Sequence, residues 1–161
     1  MKKNSAPPSI FTNWKHFLAC GFGSGASPWA PGTMGTVAAI PLYILVSWMH
    51  FWPFFILTCV MFAVGVWLCD VTSRDWNTHD HSSIVWDEIV GYFITMMGMP
   101  FNWKWIALGF VFFRLFDIWK PWPICIADKK IKGGFGIMID DVLAAIYALI
   151  VMRILEAGGL S

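Results

Sequence analysis

Between Lys15 and Asp70 the chain carries no Lys, Arg, Asp or Glu, and only His16 and His50 could take a proton. The stretch breaks at His50-Phe51-Trp52-Pro53, a turn signal, into apolar runs over residues 35–49 and 54–69. Neither run shows a polar face, whereas a helix in a small soluble domain keeps a wet side. Each is a little shorter than the roughly 20 residues that cross a bilayer upright. The pattern predicts a membrane-associated apolar hairpin over residues 35–71. The competing reading is a pair of buried core helices.

Three more hydrophobic segments follow a polar loop at residues 70–83. The third segment, 84–99, has Asp87 and Glu88 at its start, and the fourth, 103–119, has Arg114 and Asp117 at its end. The fifth, 137–155, opens with Asp140 and Asp141. Segments three and four are weak as full spans and could enter a bilayer partway. No strand-like alternation occurs, so the chain is predicted to be all-α, with about five helical segments in a compact membrane-associated domain. Two glycine-rich stretches, 21–35 and 129–136, are predicted as loops, since the first has too many prolines and glycines for a regular helix.

Composition sharpens the membrane reading. The 161 residues suit one domain, 1–161, and are 58% hydrophobic and 13% charged, with 11 Trp and 14 Phe. Soluble proteins average about a quarter charged residues, and Trp favours membrane interfaces. A net charge of +1 gives no basis for nucleic acid as a partner. Residues 1–15 hold Lys2, Lys3, Asn4, Pro7 and Pro8 ahead of any hydrophobic run, so a cleavable signal is not expected.

The lysines also orient the chain. If every segment crosses, the basic head (1–15), Arg74 and the loop with Lys120, Lys129, Lys130 and Lys132 share one side, leaving Lys104 and Arg153 opposite. The excess of positive charge marks that side as cytoplasmic. The same arrangement gathers residues 21–35, 79–88, 114–120 and 133–141 at one cytoplasmic face.

Asp87, Glu88, Asp117, Asp140 and Asp141 all stand at segment ends. Hard oxygen ligands without a cysteine cluster suit magnesium (Mg2+) better than zinc or copper. Arg114 and Lys120 are candidate phosphate partners, joined by backbone N–H groups at Gly133, Gly134 and Gly136 ahead of a helix. Metal plus anion at a membrane face is the arrangement that phosphoryl transfer from a lipid headgroup requires. Helix capping is the plain alternative for the acids, except that Asp117 lies at the unfavourable end of its segment.

Other chemistries are closed by the sequence. His79-Asp80-His81 lacks a third zinc ligand at a fitting distance, and reads as a loop or a proton donor. The four cysteines, Cys20, Cys59, Cys69 and Cys125, form no C-x-x-C pair, and none has an arginine six residues on. The first glycine stretch lacks the Gly-Lys-Ser/Thr ending of a nucleotide loop.

Four blocks resemble the phosphatidylglycerophosphatase A family in order and spacing: GFGSGASPWAPGTMG (21–35), HDHSSIVWDEIVG (79–91), FRLFDIWKPWPI (113–124) and GGFGIMIDD (133–141). The resemblance implies a bacterial inner-membrane, magnesium-dependent lipid phosphatase that hydrolyses phosphatidylglycerophosphate to phosphatidylglycerol at the cytoplasmic face. It implies metal ligands among Asp87, Glu88, Asp117, Asp140 and Asp141, and phosphate contacts from Arg114 and Lys120. His81 or His79 would protonate the leaving group. The rival readings are a small non-enzymatic membrane carrier and a phosphatase for another phosphomonoester. Oligomeric state is left open.

Overall fold

A computed structural model describes residues 6–78 and 80–159, apart from the side chain of Lys129. His79 and the first five residues of the basic head, with Lys2 and Lys3, lie outside the described residues. Among the described residues, seven α-helices occur in order: α1 (Trp14–Ala19), α2 (Pro31–Val46), α3 (Phe51–Asp75), α4 (Trp86–Thr95), α5 (Trp103–Trp119), α6 (Ile124–Lys130) and α7 (Gly133–Ala157). Short 3-10 turns at Pro8–Phe11 and Ser24–Ala26 join them, and no strand occurs among the described residues. The all-α expectation holds.

The boundaries depart from the sequence reading in four places, each for a local reason. The first glycine stretch is not wholly irregular, because α2 starts inside it at Pro31. Proline is tolerated in the first helical turn, where its missing N–H would have no intrahelical partner. The polar loop expected from residue 70 begins later, since α3 runs on to Asp75, with Arg74 and Asp70 paired across one turn at 2.7 Å. The third segment shrinks to α4, ten residues long. The second glycine stretch is not a loop: α6 covers its start, and α7 begins at Gly133. A Cβ at Gly134 would strike the Val66 carbonyl of α3, so its absence lets α7 lie close against α3.

α4 forms the centre of the molecule. It packs against α2, α3, α5 and α7, burying Ile89, Val90, Tyr92 and Phe93. Edge-to-face contacts tie Tyr43 of α2 to Phe54, Tyr92 and Phe93. Gly91 leaves room for the Phe113 ring of α5, which a Cβ would strike. α7, the other long element, touches α3, α4 and α5 and buries Ala144, Ala145, Ala148 and Met152.

α3 and α7, each 25 residues, are long and apolar enough to cross a membrane, with window mean hydropathies of 2.2 and 2.1. Only 28% of that α3 window is buried. Its outward face shows Phe55, Ile56, Val60 and Val64. A core helix would bury such residues, so an apolar surrounding suits α3 better than water does.

Candidate active site

Ionisable side chains converge where α4, α5 and α7 meet the start of α2. The first turn of α4 carries Asp87 and Glu88, and α7 carries Asp141 about two turns past its start. One carboxylate oxygen from each of these three residues lies within 4.8 Å of the other two. Asp87 and Asp141 are 7% and 3% exposed. Asp87 Oδ1, Glu88 Oε2 and Asp141 Oδ2 are buried with no hydrogen-bond partner.

That is an expensive arrangement for ionised acids, because burial removes water and like charges repel. Burial, followed by the Asp141 charge, pushes Glu88 up to about 8. Burial and the Glu88 charge likewise raise Asp87 well above the usual carboxylate range. The cluster favours whatever positive species can share its oxygens, either protons or a hard cation.

Two cations edge the cluster. Arg114 Nη1 stands 2.5 Å from Asp117 Oδ2, one turn along α5, and 3.8 Å from Glu88 Oε1. Lys120 caps α5 in left-handed backbone (φ 44°), with its Nζ 2.6 Å from Asp140 Oδ2 and 2.7 Å from Asp128 Oδ1. Burial alone would lower the Lys120 pKa, but hydrogen bonds to Asp128 and Asp140 raise it, so it stays charged. Asp128 apart, these groups face a cleft of about 290 Å³.

Not every expected residue takes its expected place. Among the five acids, Asp87, Glu88 and Asp141 form the trio, whereas Asp117 holds Arg114 and Asp140 holds Lys120. Capping does not account for Asp140 or Asp141, since the first turn of α7 has no acid. His81 does not line the cleft; its ring packs on Trp76 at 5.0 Å, and its Nδ1 accepts from the Ser83 N–H. Burial lowers its pKa against the opposing pull of Asp80. Gly133 and Gly134 lie beside Asp70 instead, and the Gly134 N–H already donates to Asp70 Oδ1 at 3.3 Å. A Cβ at Gly136 would strike the Ile131 carbonyl, which gives that glycine a packing role. Cys20 is fully buried, and burial pushes its thiol up to about 12.

Within stretches that the sequence gathers at this face, the structure adds residues not singled out there. Asp80 and Ser82, on either side of His81, line the cleft, as do Ala30, Pro31 and Gly32. The signal for the last three was present: a Pro-Gly pair that opens a helix. No side chain caps α2 at Ala30, whose own backbone is left-handed (φ 44°). The first N–H groups of α2 are thus placed at the cleft. Gly32 fits closely, since a Cβ there would strike Glu88 Oε1 and come within 3.3 Å of the Arg114 guanidinium.

Among the described residues, fold and site together define an all-helical protein with two bilayer-length helices and a buried acidic cleft flanked by Arg and Lys. Residues 17–156 match the family described as Phosphatidylglycerophosphatase A. The chain is similar to two curated proteins named Phosphatidylglycerophosphatase A. The one from Escherichia coli (strain K12) is 50% identical over 132 residues, covering 81% of this chain and 77% of that protein. The one from Haemophilus influenzae is 52% identical over 139 residues, covering 85% of each. The chain belongs to the phosphatidylglycerophosphatase A family. No solved structure matches it.

Proposed function

We propose that this chain removes the terminal phosphate of phosphatidylglycerophosphate, leaving phosphatidylglycerol, with magnesium held by Asp87, Glu88 and Asp141. The carboxylate trio carries the metal reading. Three buried oxygens with no hydrogen-bond partner, one from each acid, match the hard donor set that magnesium takes. Family membership and the two curated relatives supply the substrate.

When bound, magnesium supplies a Lewis acid that polarises phosphoryl oxygens and makes a coordinated water more acidic. The chain's own groups do the rest. Arg114 presents a planar fork to the phosphate oxygens, and Asp117 fixes the orientation of that fork. Lys120 adds a second positive charge as negative charge builds in the transition state. The uncapped start of α2 offers backbone N–H groups to the same anion. At about 290 Å³ the cleft is small for a ligand pocket, so it suits a headgroup and leaves the acyl chains outside.

The excess of lysine and arginine on one side favours the inner membrane of a bacterium with the cleft facing the cytoplasm. The deciding experiment measures phosphate release by purified protein from phosphatidylglycerophosphate, phosphatidate and soluble glycerol phosphate, each with magnesium and with EDTA. Release from the first substrate, abolished by EDTA and restored by magnesium, is the expected result. Full activity in chelator would remove the metal, and equal rates on all three would remove the substrate assignment.

A further inference from the structure

Asp128 of α6 has no place in the cleft, yet it touches one of the cleft's two cations. It lines a neighbouring chamber of about 240 Å³ that shares Asp80 and Asp140 with the main cleft. Lys120 lines only the main cleft, and its Nζ bridges Asp128 Oδ1 at 2.7 Å and Asp140 Oδ2 at 2.6 Å. The ammonium therefore stands at the wall between the two spaces, tethered from both sides.

An ammonium has three N–H donors, so two tethers leave one for an incoming anion. A lysine stem is long and flexible, and one partner alone does not fix the direction of its head. The Lys120 and Asp128 side chains are 29% and 34% exposed, a setting in which an ion pair adds little stability. What the second carboxylate adds is direction.

We propose that Asp128 is a positioning residue that aims the Lys120 ammonium at the substrate phosphate; this rests on the phosphatase function above. Neither Asp128 nor α6 was evident as part of the site in the sequence.

The test is steady-state phosphate release from phosphatidylglycerophosphate in detergent micelles with added magnesium. It compares the full chain with Asp128→Asn, Asp128→Glu, Lys120→Ala and the Asp128→Asn/Lys120→Ala double variant. Asp128→Asn is expected to lower kcat/KM roughly tenfold, the scale of one hydrogen bond to a charged group, mainly through kcat because Lys120 acts as charge builds in the transition state. Asp128→Glu should recover most of the loss. In the Lys120→Ala background the same Asn change should have no further effect, because its target is gone. An unchanged kcat/KM in Asp128→Asn, or fully additive losses in the double variant, would overturn the proposal and leave the phosphatase reading standing. A wild-type chain that releases no phosphate would remove both. Should Asp128→Asn fail to fold, Asp128→Ser replaces it with the same expectations.

Discussion

Arg114 and Asp117 face each other across one turn of α5, with Nη1 and Oδ2 2.5 Å apart, and the same nitrogen reaches Glu88 on α4 at 3.8 Å. Asp117 thus links the acid trio to the cation that faces it. Asp117→Asn keeps the size of the side chain and removes its charge. At the C-terminal end of a helix, losing a negative charge does not weaken the helix. Turnover on phosphatidylglycerophosphate is expected to fall on the order of a hundredfold, with an unchanged circular dichroism spectrum. Glu156→Gln, in the surface pair with Arg153, serves as the control and should change little. Near-wild-type turnover in folded Asp117→Asn would make the pair structural.

Arg114→Lys and Arg114→Ala separate charge from shape. The lysine keeps the charge and loses the planar fork, so its loss in kcat/KM should fall between wild type and Ala, with the alanine lower by about a further tenfold. Equal kinetics for Arg114→Lys and wild type would show that the fork is not used.

Gly32→Ala asks whether the start of α2 belongs to the site. The added methyl would collide with Glu88 Oε1 and press on Arg114. A displacement of that kind at reacting groups costs on the order of a hundredfold in rate. Gly159→Ala is the comparison, since nothing lies within 4 Å of that position, although its left-handed φ of +87° makes alanine locally strained. Full activity in Gly32→Ala would place the α2 start outside the working site.

Topology is open to thiol labelling in a variant with all four cysteines replaced. That variant should itself keep turnover, because no cysteine lines the acidic cleft. A thiol introduced at Trp52 should react with an impermeant reagent from outside intact cells, while thiols at Asn77 and Lys130 should not. Labelling at Asn77 from outside would reverse the orientation.

Asp87, Glu88, Asp117, Asp140 and Asp141, with Arg114 and Lys120, were legible in the sequence as candidates for one face, because charge in so apolar a chain needs a reason, whereas Asp80 of the cleft was not singled out. How the acids divide was not legible. Asp140 and Asp141 are neighbours in sequence, but successive residues on a helix point about 100° apart. Only the rotation of α7 against α4 gives one to Lys120 and the other to the acid trio. His81 was misplaced for a similar reason, since the loop turns its neighbours Asp80 and Ser82 toward the cleft and packs His81 on Trp76. Glycines before a helix read equally well as an anion cradle or as a place of close packing. The approach of Val66 to Gly134 and of Ile131 to Gly136 gives both a packing role, while Gly136 also lines the chamber beside the cleft. α6 escaped notice because seven residues are too few for a periodic pattern to stand out.

Ala30 and Lys120, both lining the cleft, share a left-handed φ of 44° that residues other than glycine rarely adopt. Each such residue costs about 1–2 kcal/mol relative to ordinary backbone. Selection for heat resistance alone would therefore be drawn to glycine at both positions. At position 120 that exchange would delete the ammonium, so the gain in robustness would come at the expense of turnover. Directed evolution of this protein should accordingly screen on phosphate release and thermal tolerance together, because with the role proposed for Lys120 the two pull in opposite directions there.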